Sequence, residues 1–279
     1  MRIKNLNSSF SAISFLCLVT ACVIAFGPVL DAWTGAHLMI RLGALSNALG
    51  GIIPMSDASG YIHGGFFFDQ THTLTAWNMR RPINALFYAF RTHMTEGDFW
   101  KTMIIQNSFL CCAGFLFMFK MMQEWGWRSF TVGALFLGGC YTFFFAHTTL
   151  TEALVLTLGF CAVIVLWTAW QREKTVLYVF GLALLTVALK VRAGPHFLIP
   201  TFALLICMMS KEVSKIQAFF WAVITVTLTA FFCMSLSYLL ALGEGQGAPL
   251  GNFSLHVYGL VNGGKTWSYA YENPDMAAL

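Results

Sequence analysis

Residues 150–170 read LTEALVLTLGFCAVIVLWTAW, with Glu152 as the only charge. A bilayer core takes about 20 mostly apolar residues of helix, and this stretch supplies them. Six more runs of the same kind flank it, at Phe10–Leu30, Thr102–Met122, Ser129–Ala146, Thr175–Lys190, His196–Met209 and Ile216–Leu242. The expected fold is therefore all-α, a polytopic transmembrane helical bundle of about seven spans forming a single domain over residues 1–279. The apolar segment Ala36–Pro54 is interrupted by Arg41, Asn47 and glycines, and reads as interfacial or re-entrant. Phe10–Leu30 follows Arg2 and Lys4, lacks a small-residue cleavage site and precedes further spans, so it reads as a signal anchor.

Composition agrees. Only 10% of the 279 residues are charged, 58% are hydrophobic, and the mean hydropathy is +0.69. About a quarter of a soluble domain is charged, and so few charges cannot cover a soluble globule of this length. The net charge of +4 is small and dispersed, which excludes a nucleic-acid partner. All eight cysteines sit inside apolar runs without metal-ligand spacing, and read as buried small hydrophobes.

The basic residues set the expected orientation. With a cytoplasmic N-terminus, the short inner loops hold Lys120 and Arg128, Arg172 and Lys174, and Lys211 and Lys215. The outer side receives the long segment 31–101, the turns His147–Glu152 and Lys190–His196, and the tail 243–279. All seven histidines then lie outside or at the outer boundary. The tail carries Gly259, Gly263 and Gly264 among Tyr258, Trp267, Tyr269 and Tyr271, and reads as an aromatic interfacial loop at a C-terminus that is either compact or incomplete.

The long outer segment holds the chemistry. Asp57 and Tyr61 share a face if this piece is helical, and Gly60, Gly64 and Gly65 permit close backbone approach. Pro82 can occupy the first turn of an amphipathic helix along the membrane surface, and Thr95 with Asp98 is expected to cap the second span. Lys190 and Arg192 end the fifth span on the outer side, against the positive-inside bias. They either snorkel to the surface or form an anion site. Arg80 and Arg81 either contact lipid headgroups or serve the same anion. Glu152 reads either as a helix-start acid favoured by the dipole or as a group pointing into the site beside His147. His63, His72 and His93 have no compact metal-ligand spacing, so no metal or other cofactor is expected.

SDASGY (Ser56–Tyr61) and RRPINALFYAF (Arg80–Phe90), placed between a first span and a run of later ones, resemble the membrane glycosyltransferases of the GT-C class, such as protein mannosyltransferases and the aminoarabinose transferase of lipid A. The resemblance covers roughly residues 10–200 and rests on layout plus two short motifs. It implies transfer of a sugar from a polyprenyl-phosphate donor to a glycan, lipid or protein hydroxyl, at the outer face of the plasma (inner) membrane. It also implies Asp57 as the base, and Tyr61, Arg80, Arg81, Glu152, Lys190, Arg192 and His196 as substrate-binding residues. Some members of the class use a divalent cation. In many relatives the acid lies close behind the first span, where this chain has Asp31, so Asp31 and Asp69 are alternatives to Asp57. A transporter or flippase-like protein and a non-catalytic assembly factor are the competing classes. The near absence of mid-span charge counts against the transporter. A scaffold has no reason to gather Asp57, Lys190 and Arg192 on one side.

Overall fold

A computed structural model describes residues 57–75, 78–140, 151–192 and 212–240, with isolated residues among 15–34, 200–204 and 261–263. The described elements are helical: α1 (Asp57–Thr71), a 3-10 turn (Asn78–Arg80), α2 (Pro82–Met94), α3 (Phe99–Trp125), α4 (Trp127–Cys140), α5 (Glu152–Arg172), α6 (Thr175–Val191) and α7 (Lys215–Leu239). Among the described residues, three helices are long and apolar enough to cross a membrane, namely α3, α5 and α7, and α6 is a shorter apolar helix. This is the build of a helical membrane protein. The expected first span is represented by Phe15, Leu16, Val19, Cys22, Val23, Phe26 and Leu30, each helical. Segment 36–54, His147, His196 and nearly all of the tail lie outside the described residues.

Local chemistry sets the helix ends. Ser214 and Gln217 form a reciprocal capping box that starts α7. Pro82 opens α2, where its missing N–H costs nothing. The expected Thr95–Asp98 cap needs correction. Asp98 alone is the N-cap of α3, and its carboxylate accepts from the N–H groups of Trp100 (3.0 Å) and Lys101 (3.2 Å). Glu96 and Gly97 take left-handed backbone angles, φ 53° and 80°, so no helix can begin directly behind Thr95. Thr95 instead ends α2 and ties it to α3 through a 2.8 Å hydroxyl contact with Thr102.

Partial burial opposes the charge on Asp98, but the hydrogen bonds and positive charge of Lys101 outweigh it and hold the carboxyl below its ordinary range. A depressed carboxyl stabilises the fold above the unfolded pKa, and that contribution is lost as pH falls through the folded value. Asp98→Ala should cost about 1 kcal/mol in thermal unfolding at neutral pH, and the difference from wild type should shrink at acid pH.

The packing has a small-residue seam. Ala169 on α5, Tyr178 and Leu182 on α6, Ala222 on α7 and the helical Ala203 form one buried cluster. Small side chains let backbones approach closely where lipid gives no hydrophobic drive between helices. The outward faces are large and apolar: Phe219, Phe220, Leu228, Phe231 and Phe232 of α7 are all exposed, which suits lipid rather than water.

The direction of each helix follows from its contacts. Phe117 stacks on Phe160 and Trp125 meets Trp167, so α3 and α5 run parallel. Arg192, just past α6, pairs with Glu152 at the start of α5. At the opposite end, Glu212 pairs with Lys174 at 2.7 Å and accepts from the Thr175 N–H. The chain thus leaves α6 at one end of the bundle and enters α7 from the other. α1, the 3-10 turn and α2 cover the first of these ends. Leu74 N–H donates to Leu240 O at 2.6 Å, just past α7, and Leu74, Met79 and Ala85 pack with Phe68 and Leu240.

Candidate functional site

The covered end carries most of the polar residues expected to act. Asp57 opens α1, and its side chain lies outside the described residues. Tyr61 stands one turn along the same helix and is fully buried. The Arg81 guanidinium lies over the Tyr61 ring, 5.3 Å from its centroid. A cation on an aromatic face at this distance is attracted by the ring quadrupole. Residues twenty positions apart in the chain are thereby brought together.

Two glycines of α1 let its neighbours approach closely. Asn78 Nδ2 donates to Gly60 O at 3.1 Å. A Cβ on Gly64 would fall 1.7 Å from Asn78 Nδ2, and one on Gly65 would fall 2.3 Å from Tyr88 Cδ1. The 3-10 turn and α2 therefore press directly on the α1 backbone.

Lys190 and Arg192 do not share one environment. Lys190 is half-buried in the last turn of α6, whereas Arg192 is half exposed and bonded to Glu152. Each member of that pair also sits at a favourable helix end, the acid at the N-terminus of α5 and the cation after α6. Exposure weakens such pairs, so Glu152→Gln should shift stability by no more than about 1 kcal/mol in thermal unfolding. A larger loss would show that the pair anchors α5 to α6.

The described histidines are dispersed. His63 stacks on Phe67, His72 meets Phe68 edge-on, and His93 Nδ1 lies 3.3 Å from Asp69. Among the described residues, no three His, Cys, Asp or Glu side chains are grouped to hold a metal.

Arg91 was not singled out in the sequence, yet it is one of the largest fully buried side chains. Its Nη1 donates to Gln106 Oε1 at 2.6 Å and to Thr102 O at 3.4 Å. The guanidinium also lies over the rings of Phe87 (4.7 Å) and Tyr88 (4.5 Å). Burial pushes its pKa down to about 10, and the nearby Tyr88 opposes that shift. It stays charged at neutral pH.

Helix α2 has two unlike faces, as its sequence suggests. Asn84, Tyr88 and Arg91 are buried, and Phe90 and Met94 are exposed. Gln106 and the two rings give the guanidinium an interior partner set. The usable signal was the spacing of Asn84, Tyr88 and Arg91 on one helical face, followed by Thr102 and Gln106 at the start of the next helix.

No protein-family model, curated protein or solved structure matches the chain.

Proposed function

We propose that this chain is a membrane glycosyltransferase that moves a sugar from a polyprenyl-phosphate donor to an acceptor hydroxyl. The observation supporting this reading most directly is the seat of Arg81 over Tyr61, one helical turn from Asp57. It gathers a cation, a buried phenol and the start of an acid-bearing helix at one end of the bundle. The resemblance of Ser56–Tyr61 and Arg80–Phe90 to the GT-C pattern supplies the reaction class.

In this reading the acceptor oxygen attacks the anomeric carbon and its proton passes to Asp57. The bond from that carbon to the phosphate oxygen breaks, and its electron pair leaves with the phosphate. A phosphate is a stable leaving anion, so one base suffices where glycoside hydrolases use an acid and a base. Cations are needed where the negative charge gathers. Arg80 and Arg81 supply them from the loop, and Lys190 and Arg192 from the end of α6. Arg192 shares its charge with Glu152, so its share in phosphate binding depends on turning from that carboxylate.

The proposed topology has seven spans, with the loop-covered end facing outward from the plasma membrane. The passage from Arg192 back to Glu212 supports a crossing helix between α6 and α7. A helix of 17 residues such as α6 is about 25 Å long, and residues 193–211 are enough to match it, with Pro200, Thr201, Ala203 and Leu204 already helical. The decisive test is transfer from a polyprenyl-phosphate sugar by wild type and Asp57→Asn.

A further inference from the structure

Helix α2 runs back along α3. Thr95 touches Thr102 at 2.8 Å, Arg91 bonds Gln106 Oε1 at 2.6 Å, and the Phe87 ring meets the Phe109 ring edge-on at 5.7 Å. Each step back toward the start of α2 is thus a step forward along α3. The two helices form a hairpin closed by the turn at residues 95–98. α3 is long and apolar enough to cross a membrane, so a helix that follows it points into the bilayer.

Charge marks the depth. Lys101 and Lys120 bracket an uncharged stretch of α3, residues 102–119, and charge is costly within the hydrocarbon. Phe109 stands eight residues beyond Lys101, about 12 Å along the helix axis. The Phe87 ring in contact with it therefore reaches acyl-chain depth. Exposed polar residues gather instead at the other end of α2 and in the turn behind it, at His93, Glu96 and Lys101.

The two faces of α2 fit that depth. A helix resting on a membrane surface keeps a polar face toward water. α2 turns Asn84, Arg91 and Thr92 into the protein, and of residues 82–94 only Phe90, His93 and Met94 are exposed. Ile83, Phe87, Phe90 and Met94 fall at helical spacing on one side, with Ile83 and Phe87 half-buried. The contact between Phe87 and Phe109 joins this stripe to the exposed Phe109, Leu116 and Phe119 of α3, which also follow at helical spacing along a spanning helix.

We infer that α2 dips into the leaflet at this end of the bundle, and that its stripe of Ile83, Phe87 and Phe90 docks phospholipid acyl chains, continuous with the lipid-facing side of α3. Helices that pair in lipid use small residues to bring their backbones together. This stripe is built of large ones, so lipid suits it better than a second copy of the chain. The inference concerns membrane contact and holds with or without the transferase reading.

The test replaces Ile83, Phe90 and Met94 singly by p-acetylphenylalanine in the full-length chain and couples a nitroxide to the ketone, which leaves the cysteines untouched. In phospholipid vesicles, collision with oxygen against collision with a water-soluble nickel chelate reads the depth of each label. A label at Leu116 of α3 is the lipid-facing reference. Positions 83 and 94 are about 16 Å apart along the axis, so the label at 83 should lie about 10 Å or more deeper than that at 94, with 90 between. The label at 90 should meet oxygen as readily as the reference. If the label at 83 lowers the melting temperature, Leu86, also half-buried, takes its place.

Equal depths at the three positions would mean that α2 lies flat, and would overturn the inference. Chelate access at 90 as free as at a label on His93 would place the stripe in water. Shielding of 90 from both reagents would place protein over it, a second copy included. Either of these results overturns the inference as well.

Discussion

Asp57→Asn should lower sugar transfer by about a hundred- to ten-thousand-fold, the range attributed to general base catalysis. The measurement is release of polyprenyl phosphate from a lipid-linked sugar donor, with native membranes providing the acceptor. Asn has the size of Asp but cannot take up the acceptor proton. Both residues suit a helix start, where their side chains satisfy free N–H groups, so α1 should form in the variant. The melting temperature should therefore stay near that of wild type while the rate collapses. Undiminished transfer by a folded variant would remove Asp57 from the mechanism. Asp69 would then be tested next; it already lies 3.3 Å from His93 and is partly buried.

Gly65→Val should be the most destabilising single change in the loop layer. A Cβ there would stand 2.3 Å from Tyr88 Cδ1 and 2.7 Å from its Cβ and Cγ. The Tyr88 Cβ is fixed to the α2 backbone and cannot swing aside, so one helix must move. Overpacking of this kind costs about 3 kcal/mol or more when the neighbour is rigid. α1 would separate from α2, carrying Tyr61 away from Arg81. The expected readout is a lowered melting temperature with faster proteolysis between residues 57 and 94. Val at the exposed His63 position of the same helix controls for helix propensity and should cost well under about 1 kcal/mol. Equal stability of the two variants would mean that α1 does not sit on α2 as described.

Hydropathy and capping residues carried much of the architecture. The expected spans at residues 102–122, 150–170, 175–190 and 216–242 match α3, α5, α6 and α7 to within three residues at each end. A helix in lipid satisfies its own backbone hydrogen bonds, so its extent depends on the composition of its own segment. Pro82 likewise marked the start of α2. The cap before α3 was legible at Asp98, but Thr95 takes no part in it because two left-handed residues, Glu96 and Gly97, intervene, and backbone sign is not written in side-chain pattern.

The candidate site was legible only in part. Asp57, Tyr61 and Arg81 drew attention as neighbours of glycine and proline, and the latter two do meet. The pairing of Glu152 with Arg192 and the burial of Arg91 against Gln106 did not show. The sequence by itself determined that this is a helical membrane protein with a polar loop between its apolar runs, because lipid selects composition segment by segment. Tertiary structure decided which polar groups face inward. A side chain's surroundings depend on how each helix is rotated against its neighbours, and a guanidinium accepts burial only where rings and a glutamine from another helix are already there to receive it.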